Sequence, residues 1–141
     1  MCSVSHPDGL PDLFLDRSLG RIKVPTLLRA AGLRLTTLSE HYGIPADESV
    51  PDEQWLALAG ANEWAVFMKD TRVRYNRAER EAVETHRVRC FCLSSQSLTG
   101  EEMATRFLHN LARITAACTQ PGPFIYAVHK NRIERLQLGS E

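Results

Sequence analysis

No apolar run in this chain approaches the ~20 residues that a helix needs to cross a bilayer, and the first dozen residues carry no charged-then-apolar leader pattern. The expectation is a soluble cytoplasmic protein. Cys2, Cys90, Cys92 and Cys118 form no Cys-x-x-Cys pair, and the histidines at 6, 41, 86, 109 and 129 show no His-x-x-x-His spacing. A structural zinc site or a zinc hydrolase therefore lacks ligands at workable spacing. The cysteines read as reduced thiols, with Cys90 and Cys92 flanking Phe91 in a strand-like run. Internal repeats and low-complexity segments are absent. One further absence is local: between Arg34 and Lys69 there is no lysine or arginine, while Glu40, Asp47, Glu48, Asp52, Glu53 and Glu63 all fall there.

What is present suits one folded domain, since 141 residues with 43% hydrophobic content can bury a core. The formal net charge is zero, but it is unevenly spread. After the acidic stretch, Lys69, Arg72, Arg74, Arg77, Arg80, Arg87 and Arg89 outnumber Asp70, Glu79, Glu81 and Glu84. An acidic segment followed by an arginine-rich one fits a site that gathers cations and then a polyanion. Two solvated faces of opposite sign explain the charges alone equally well.

The pattern of elements begins with a loose arm over residues 1–12, punctuated by Pro7, Gly9 and Pro11. Leu13-Phe14-Leu15 then reads as a strand buried on both faces and stopped by Asp16. A helix with Pro25 in its first turn and Gly32 as its stop leads to a second strand over Leu33–Leu38. Ser49 is expected to cap a helix that runs to about Asn62, and Ala65–Met68 is a third apolar run ending in Lys69-Asp70. A helix over Ala78–His86, a strand over Val88–Leu93, and one long helix behind the Thr99-x-x-Glu102 capping box follow. Phe124–Val128 and Arg132–Leu138 read as a hairpin around Lys130-Asn131, with 139–141 left as a tail. Alternating strands and helices predict an α/β fold with a mostly parallel sheet.

In such a sheet right-handed crossovers gather the strand C-termini on one edge, where ligands bind at the point of strand-order reversal. Asp16 and Asp70 each end an apolar strand and should stand on that edge. If their strands are neighbours, as in a 2-1-3-4 order, ~4.8 Å separates them, close enough to share a cation. Asp52 joins them only if the loop before its helix stays along the same edge. Closely packed carboxylates raise one another's pKa unless a cation compensates, and Mg²⁺ or Mn²⁺ prefers such oxygen ligands. Lys69 and the arginines at 72, 74 and 77 are candidates for holding phosphates. Each acid also has an ordinary reading: Asp16 paired with Arg17, Asp52 complementing a helix dipole, Asp70 in a turn, Glu40 in a loop.

Phe14-Leu15-Asp16-Arg17-x-Leu19-Gly20, Pro51-Asp52-Glu53-x-Trp55-Leu56-x-Leu58-Ala59 and Val66-Phe67-Met68-Lys69-Asp70 resemble the PIN-like domains of VapC-type toxins. Leu98–Met103 and the C-terminal hairpin fit the same subgroup, so the likeness runs through nearly all of residues 13–138. It implies a three-layer α/β/α domain and Mg²⁺- or Mn²⁺-dependent endoribonuclease activity. It further implies inhibition by a cognate antitoxin and frequent homodimerisation. It assigns the acidic positions to Asp16, Asp52 and Asp70, with Glu40 the candidate for the remaining one. Met68 stands where many relatives carry threonine, and Arg72-Val73 where they carry an acidic-aromatic pair. The rival readings are a non-catalytic PIN-like module that binds RNA or protein, and a receiver-like phosphoacceptor domain. The second lacks its adjacent acidic pair, because Arg17 follows Asp16.

Overall fold

Six short strands form one sheet in the order β2-β1-β3-β4-β5-β6. They are β1 Leu13–Leu15, β2 Leu35–Thr37, β3 Ala65–Met68, β4 Arg89–Leu93, β5 Phe124–Val128 and β6 Ile133–Leu136. This computed structural model describes residues 6–138, apart from the Arg72 side chain. Cys2, residues 1–5 of the expected arm and the tail 139–141 lie outside the described residues. β1 to β5 are mutually parallel, and β6 turns back antiparallel to β5. The reversal of strand order falls at β1 and β3, which are direct neighbours as the sequence predicts.

Strand alternation sorts the core into two layers, because successive side chains leave a strand on opposite faces. The helices are α1 Lys23–Ala30, α2 Leu38–Tyr42, α3 Asp52–Ala61, α4 Arg77–His86, α5 Gly100–His109 and α6 Leu111–Ala117. Leu13, Leu15, Ala65 and Phe67 pack with Val24 and Leu28 of α1, Phe107 of α5 and Ile114 of α6. Phe14, Val66 and Met68 face the other way, toward Leu38 of α2, Trp55 and Leu56 of α3 and Val83 of α4. Phe67 stacks on Phe107 with ring centroids 4.1 Å apart, and Phe14 stacks on Trp55 at 5.7 Å and on Trp64 at 5.6 Å. Two dry cores thus clamp a sheet whose strands are apolar on both sides, giving the expected α/β/α sandwich with a C-terminal hairpin.

Local structure departs from expectation in four places. The expected second strand is shorter, because the Thr37 hydroxyl accepts from the Glu40 amide and the Glu40 carboxylate accepts from the Thr37 amide, which opens α2. Ser49 does not cap α3; it closes a 3-10 turn over Ala46–Ser49, and Pro51 stands at the N-cap with no side-chain bond. The long helix after Thr99 is two, divided at the fully buried Asn110. The Asn110 amide donates to the carbonyls of Arg106 at 2.9 Å and His129 at 2.8 Å, so it engages helix and hairpin together. Within the expected arm, Leu10 is buried in the α1 layer, and buried His6 accepts from the Arg34 amide through Nδ1 at 3.0 Å.

Candidate functional site

Because Leu13 and Leu15 face the α1 layer, the next residue, Asp16, turns to the α3 and α4 side. The end of β1 is tied to β3 by the Asp16 amide, which donates to the Phe67 carbonyl at 3.2 Å. Met68 faces that same side, and Asp70 follows two residues on. The parallel helices α3 and α4 pack against this face with their N-termini at the same sheet edge. Their first turns bring Asp52 and Glu79. Asp16, Asp52, Asp70 and Glu79 therefore line one cavity of about 260 Å³, together with Ser18, Met68, Val73 and Asn76.

Each acid is held in its own way. Asp16 is 9% exposed, and its Oδ2 accepts from Ser18 Oγ at 2.8 Å. Ser18 Oγ in turn accepts from the Lys69 amide at 3.1 Å, linking the end of β1 to the residue before Asp70. Asp52 Oδ1 accepts from the Trp55 indole at 2.9 Å, one turn along α3, and Arg17 Nη1 stands 3.6 Å from it. The α3 start reaches the edge because Arg17 Nη2 donates to the carbonyls of Asp47 at 3.0 Å and Val50 at 2.6 Å. Buried Asp47 is gripped by Arg21 through Nε at 3.0 Å and Nη2 at 2.9 Å, which holds the rest of that loop. The condition that the sequence places on Asp52 is thus met by two arginines just after β1.

The electrostatics of the cavity are those of crowded acids. Burial lifts the Asp16 carboxyl above its ordinary value; the Ser18 hydroxyl opposes this and Asp52 adds to it. Glu79 is pushed up to about 8, first by burial, then by its hydrogen bond with Asp52 and the charges of Asp52, Asp16 and Glu53. The shift favours the protonated form of Glu79 beside Asp52. Burial likewise raises the thiols of Cys90 and Cys92 beneath the site, which leaves them as inert core groups.

The sequence-derived set is altered in one member. Glu40 does not line the cavity; it closes the Thr37 capping box, and both its oxygens accept from Arg29 at 2.7 Å. Glu79 stands in the cavity instead. In the sequence it is one acid of an alternating charged helix. Its signal is that α4, like α3, begins at the strand C-termini, so a first-turn acid shares the edge. Among the phosphate-contact candidates, the Arg72 side chain lies outside the described residues and Arg77 pairs with Glu81 at 3.0 Å. Arg74 lies over the Tyr75 ring at 4.5 Å, and the half-buried Lys69 follows β3 directly. Met68, at the position where a hydroxyl is common, is one wall of the cavity.

The donor chemistry suits a hard divalent cation, since the ionisable groups lining the cavity are carboxylates, with no thiol or imidazole beside them. Among the described residues, no three aspartate, glutamate, histidine or cysteine side chains already form a cluster that could enclose an ion. Burial is the first cause of the raised Asp16 and Glu79, and the charges of their acidic neighbours add to it. No helix among the described residues is long and apolar enough to cross a membrane.

Comparison with known proteins gives two findings. Residues 11–95, the stretch that carries all four cavity acids, match the family described as "PIN like domain". A protein of Mycobacterium tuberculosis (strain ATCC 25618 / H37Rv) named "Putative ribonuclease VapC45" is 44% identical over 127 residues, spanning 90% of this chain and 92% of that relative. No solved structure matches.

Proposed function

The chain belongs to the PIN-like domain family as a VapC-type ribonuclease, and from that premise we propose that Asp16, Asp52, Asp70 and Glu79 form its catalytic centre for cutting RNA. The observation that carries this is their meeting in one cavity at the strand-order reversal. The acids come from the ends of two neighbouring parallel strands and the starts of two helices.

Mg²⁺ or Mn²⁺ is the cofactor these oxygen donors suit, and when bound it supplies Lewis-acid polarisation of the scissile phosphate and a more acidic water. The chain's own residues set the stage. Ser18 and Trp55 each hold one oxygen of Asp16 and Asp52, which fixes the two carboxylates in the cavity. Glu79 adds a further carboxyl group to the cavity from the first turn of α4. Lys69 lies in the chain between the cavity-lining Met68 and Asp70, a place from which an ammonium would attract a phosphate. The partners that follow from this reading are an RNA substrate, a cognate antitoxin protein and a second copy of the chain.

The test is cleavage of RNA with Mg²⁺ or Mn²⁺, with EDTA, and with Asp16→Asn and Asp70→Asn. Metal-dependent cleavage abolished by each substitution is the expected result. Cleavage that survives both substitutions would overturn the assignment, and metal-independent RNA binding without cleavage would favour a binding module.

A further inference from the structure

One face of α5 and the turn after β5 enclose a second cavity, of about 380 Å³. Leu98, Thr105, Arg106 and His109 line it at helical spacing, and Lys130 and Asn131 line it from the turn. Arg106 Nη1 donates to Ser94 Oγ at 3.2 Å, and the Ser94 amide donates to the Val128 carbonyl at 3.2 Å. These bonds tie the α5 wall to the C-terminal ends of β4 and β5. The buried Asn110 amide donates to the His129 carbonyl at 2.8 Å, which holds the turn of Lys130 against the end of α5. Both walls are thus fixed by the fold.

This cavity and the acidic one share a sheet edge. The strands run β1-β3-β4-β5, so two strand spacings, ~10 Å, separate the ends that carry Asp16 and Asp70 from the ends of β4 and β5. The loop after β4 bridges that interval. Gln96 Nε2 donates to the Lys69 carbonyl, next to Asp70, at 3.2 Å, and Leu98 lines the second cavity. The acidic cavity opens on the α3 and α4 side of the sheet and this one on the α5 side, so a strand joining them crosses the edge over β3 and β4. Glu101 and Glu102 also line the second cavity, and both are engaged: Lys23 Nζ stands 3.1 Å from Glu101, and Glu102 accepts from the Thr99 amide at 2.8 Å. Among the described residues Arg106 and Lys130 enter no ion pair, which leaves two cations for an anion from outside. Cations beside an apolar wall suit a nucleotide, whose phosphate meets charge while its base or sugar meets hydrocarbon.

We propose that this second cavity binds a nucleotide of the RNA substrate beyond the cut, with Arg106 and Lys130 on its phosphate and Leu98 against its base or sugar. This rests on the ribonuclease reading above. It adds two phosphate contacts from α5 and the last hairpin to those that charge alone suggests between Lys69 and Arg77.

The experiment uses the full chain and a short unstructured fluorescein-labelled RNA. Its Kd is measured by anisotropy over a series of monovalent salt concentrations, with EDTA present so that the RNA stays whole. Lys130→Ala, Arg106→Ala and Arg106→Lys are compared with Arg87→Gly, which removes a charge at the opposite sheet edge from a left-handed position that glycine suits. Each alanine is expected to reduce the slope of log Kd against log salt by ~0.7 and to raise Kd roughly fivefold at about 0.1 M salt. Arg106→Lys should keep the slope, and Arg87→Gly should change neither quantity. Losing the Ser94 bond alone would not move the slope, so a merely structural role for Arg106 is told apart. Wild-type slopes in both alanine proteins would overturn the site and leave the cavity to a protein partner. An equal loss in Arg87→Gly would also overturn it, because any surface charge would then serve. Cleavage by the wild type with Mg²⁺ or Mn²⁺ is followed in parallel. A wild type that binds this RNA without cutting it would overturn the ribonuclease reading, and the salt slopes would then decide the cavity by themselves. A wild type that neither binds nor cuts would overturn both.

Discussion

Arg17 Nη2 holds the Val50 carbonyl at 2.6 Å across 33 residues of sequence, and this bond sets where α3 begins. The same nitrogen takes the Asp47 carbonyl, and Nη1 stands 3.6 Å from Asp52. One side chain leaving β1 thus determines how far the acid of α3 stands from the acid that ends β1. Arg17→Ala should lower stability by about 1–3 kcal/mol, the range for a lost hydrogen bond to a charged donor. It should also reduce cleavage more than its thermal stability predicts. Arg17→Lys should fail to restore cleavage, since one ammonium lacks the guanidinium's fork. Denaturant titration beside initial rates at a temperature where all variants are folded checks this; full activity in the lysine variant would contradict it.

Burial of acids beside one another gives the metal-free protein a pH dependence. Glu79 titrates at about 8 in the fold against 4.5 in its ordinary state, so its proton is bound more tightly by the folded chain. A folded-state pKa above the unfolded one contributes stability that is complete below the unfolded value and lost as pH rises through the folded value. Asp16 is shifted in the same direction. Melting in EDTA should therefore move downward between pH 6 and pH 9, by at least about 2 °C on the usual scaling for a chain of this size. Glu79→Gln should flatten that trend, and Mg²⁺ or Mn²⁺ should remove most of it at the alkaline end. A melting temperature that rises over this window would refute the assignment of Glu79's environment.

How the site was assembled explains what could be read beforehand. Asp16 and Asp70 were legible because short apolar runs that stop in charge mark strand ends, and parallel topology sends those ends to one edge. Asp52 was legible only conditionally, since its place depends on bonds from Arg17 and Arg21 to a loop about thirty residues away. Glu79 was hidden by its surroundings: an acid in the first turn of a charged helix looks like a partner for the helix dipole. Glu40 lies outside the cavity, and the capping box it closes is spelled out in the sequence. Thr37-x-x-Glu40 is the same capping signature as Thr99-x-x-Glu102, and both close reciprocally in the fold. The break at Asn110 was not legible, because the carbonyl of His129 that helps to hold it comes from the far hairpin.

Glu40 gives a clean control for the composition of the site. Its carboxylate is held below the usual range, first by the hydrogen bonds from Arg29, and it stabilises α2 rather than the cavity. Glu40→Ala should cost about 1 kcal/mol, from a lost capping box and a surface ion pair. RNA cleavage and metal-induced stabilisation should remain. Loss of cleavage in a protein that melts as expected would return Glu40 to the catalytic set.

Gly60, near the C-terminal end of α3, packs closely against His86 at the C-terminal end of α4. A Cβ placed there would lie 2.4 Å from the His86 carbonyl oxygen and 2.6 Å from the His86 Cβ, so backbone has to move to admit it. The two helices are parallel, and Asp52 and Glu79 occupy their N-terminal ends. Forcing the C-terminal ends apart therefore pivots the pair that carries half of the cavity acids. Gly60→Ala should destabilise the fold by about 1–3 kcal/mol, the usual cost of overpacking. It should also weaken the rise in melting temperature that Mn²⁺ produces, although no carboxylate has been touched. A serine at the same position should do as much, whereas alanine at the exposed Thr85 of α4 should do neither. Denaturation midpoints with and without Mn²⁺ for the three variants decide the matter. A Gly60→Ala protein as stable as wild type would show that the α3–α4 contact does not fix the spacing of Asp52 and Glu79.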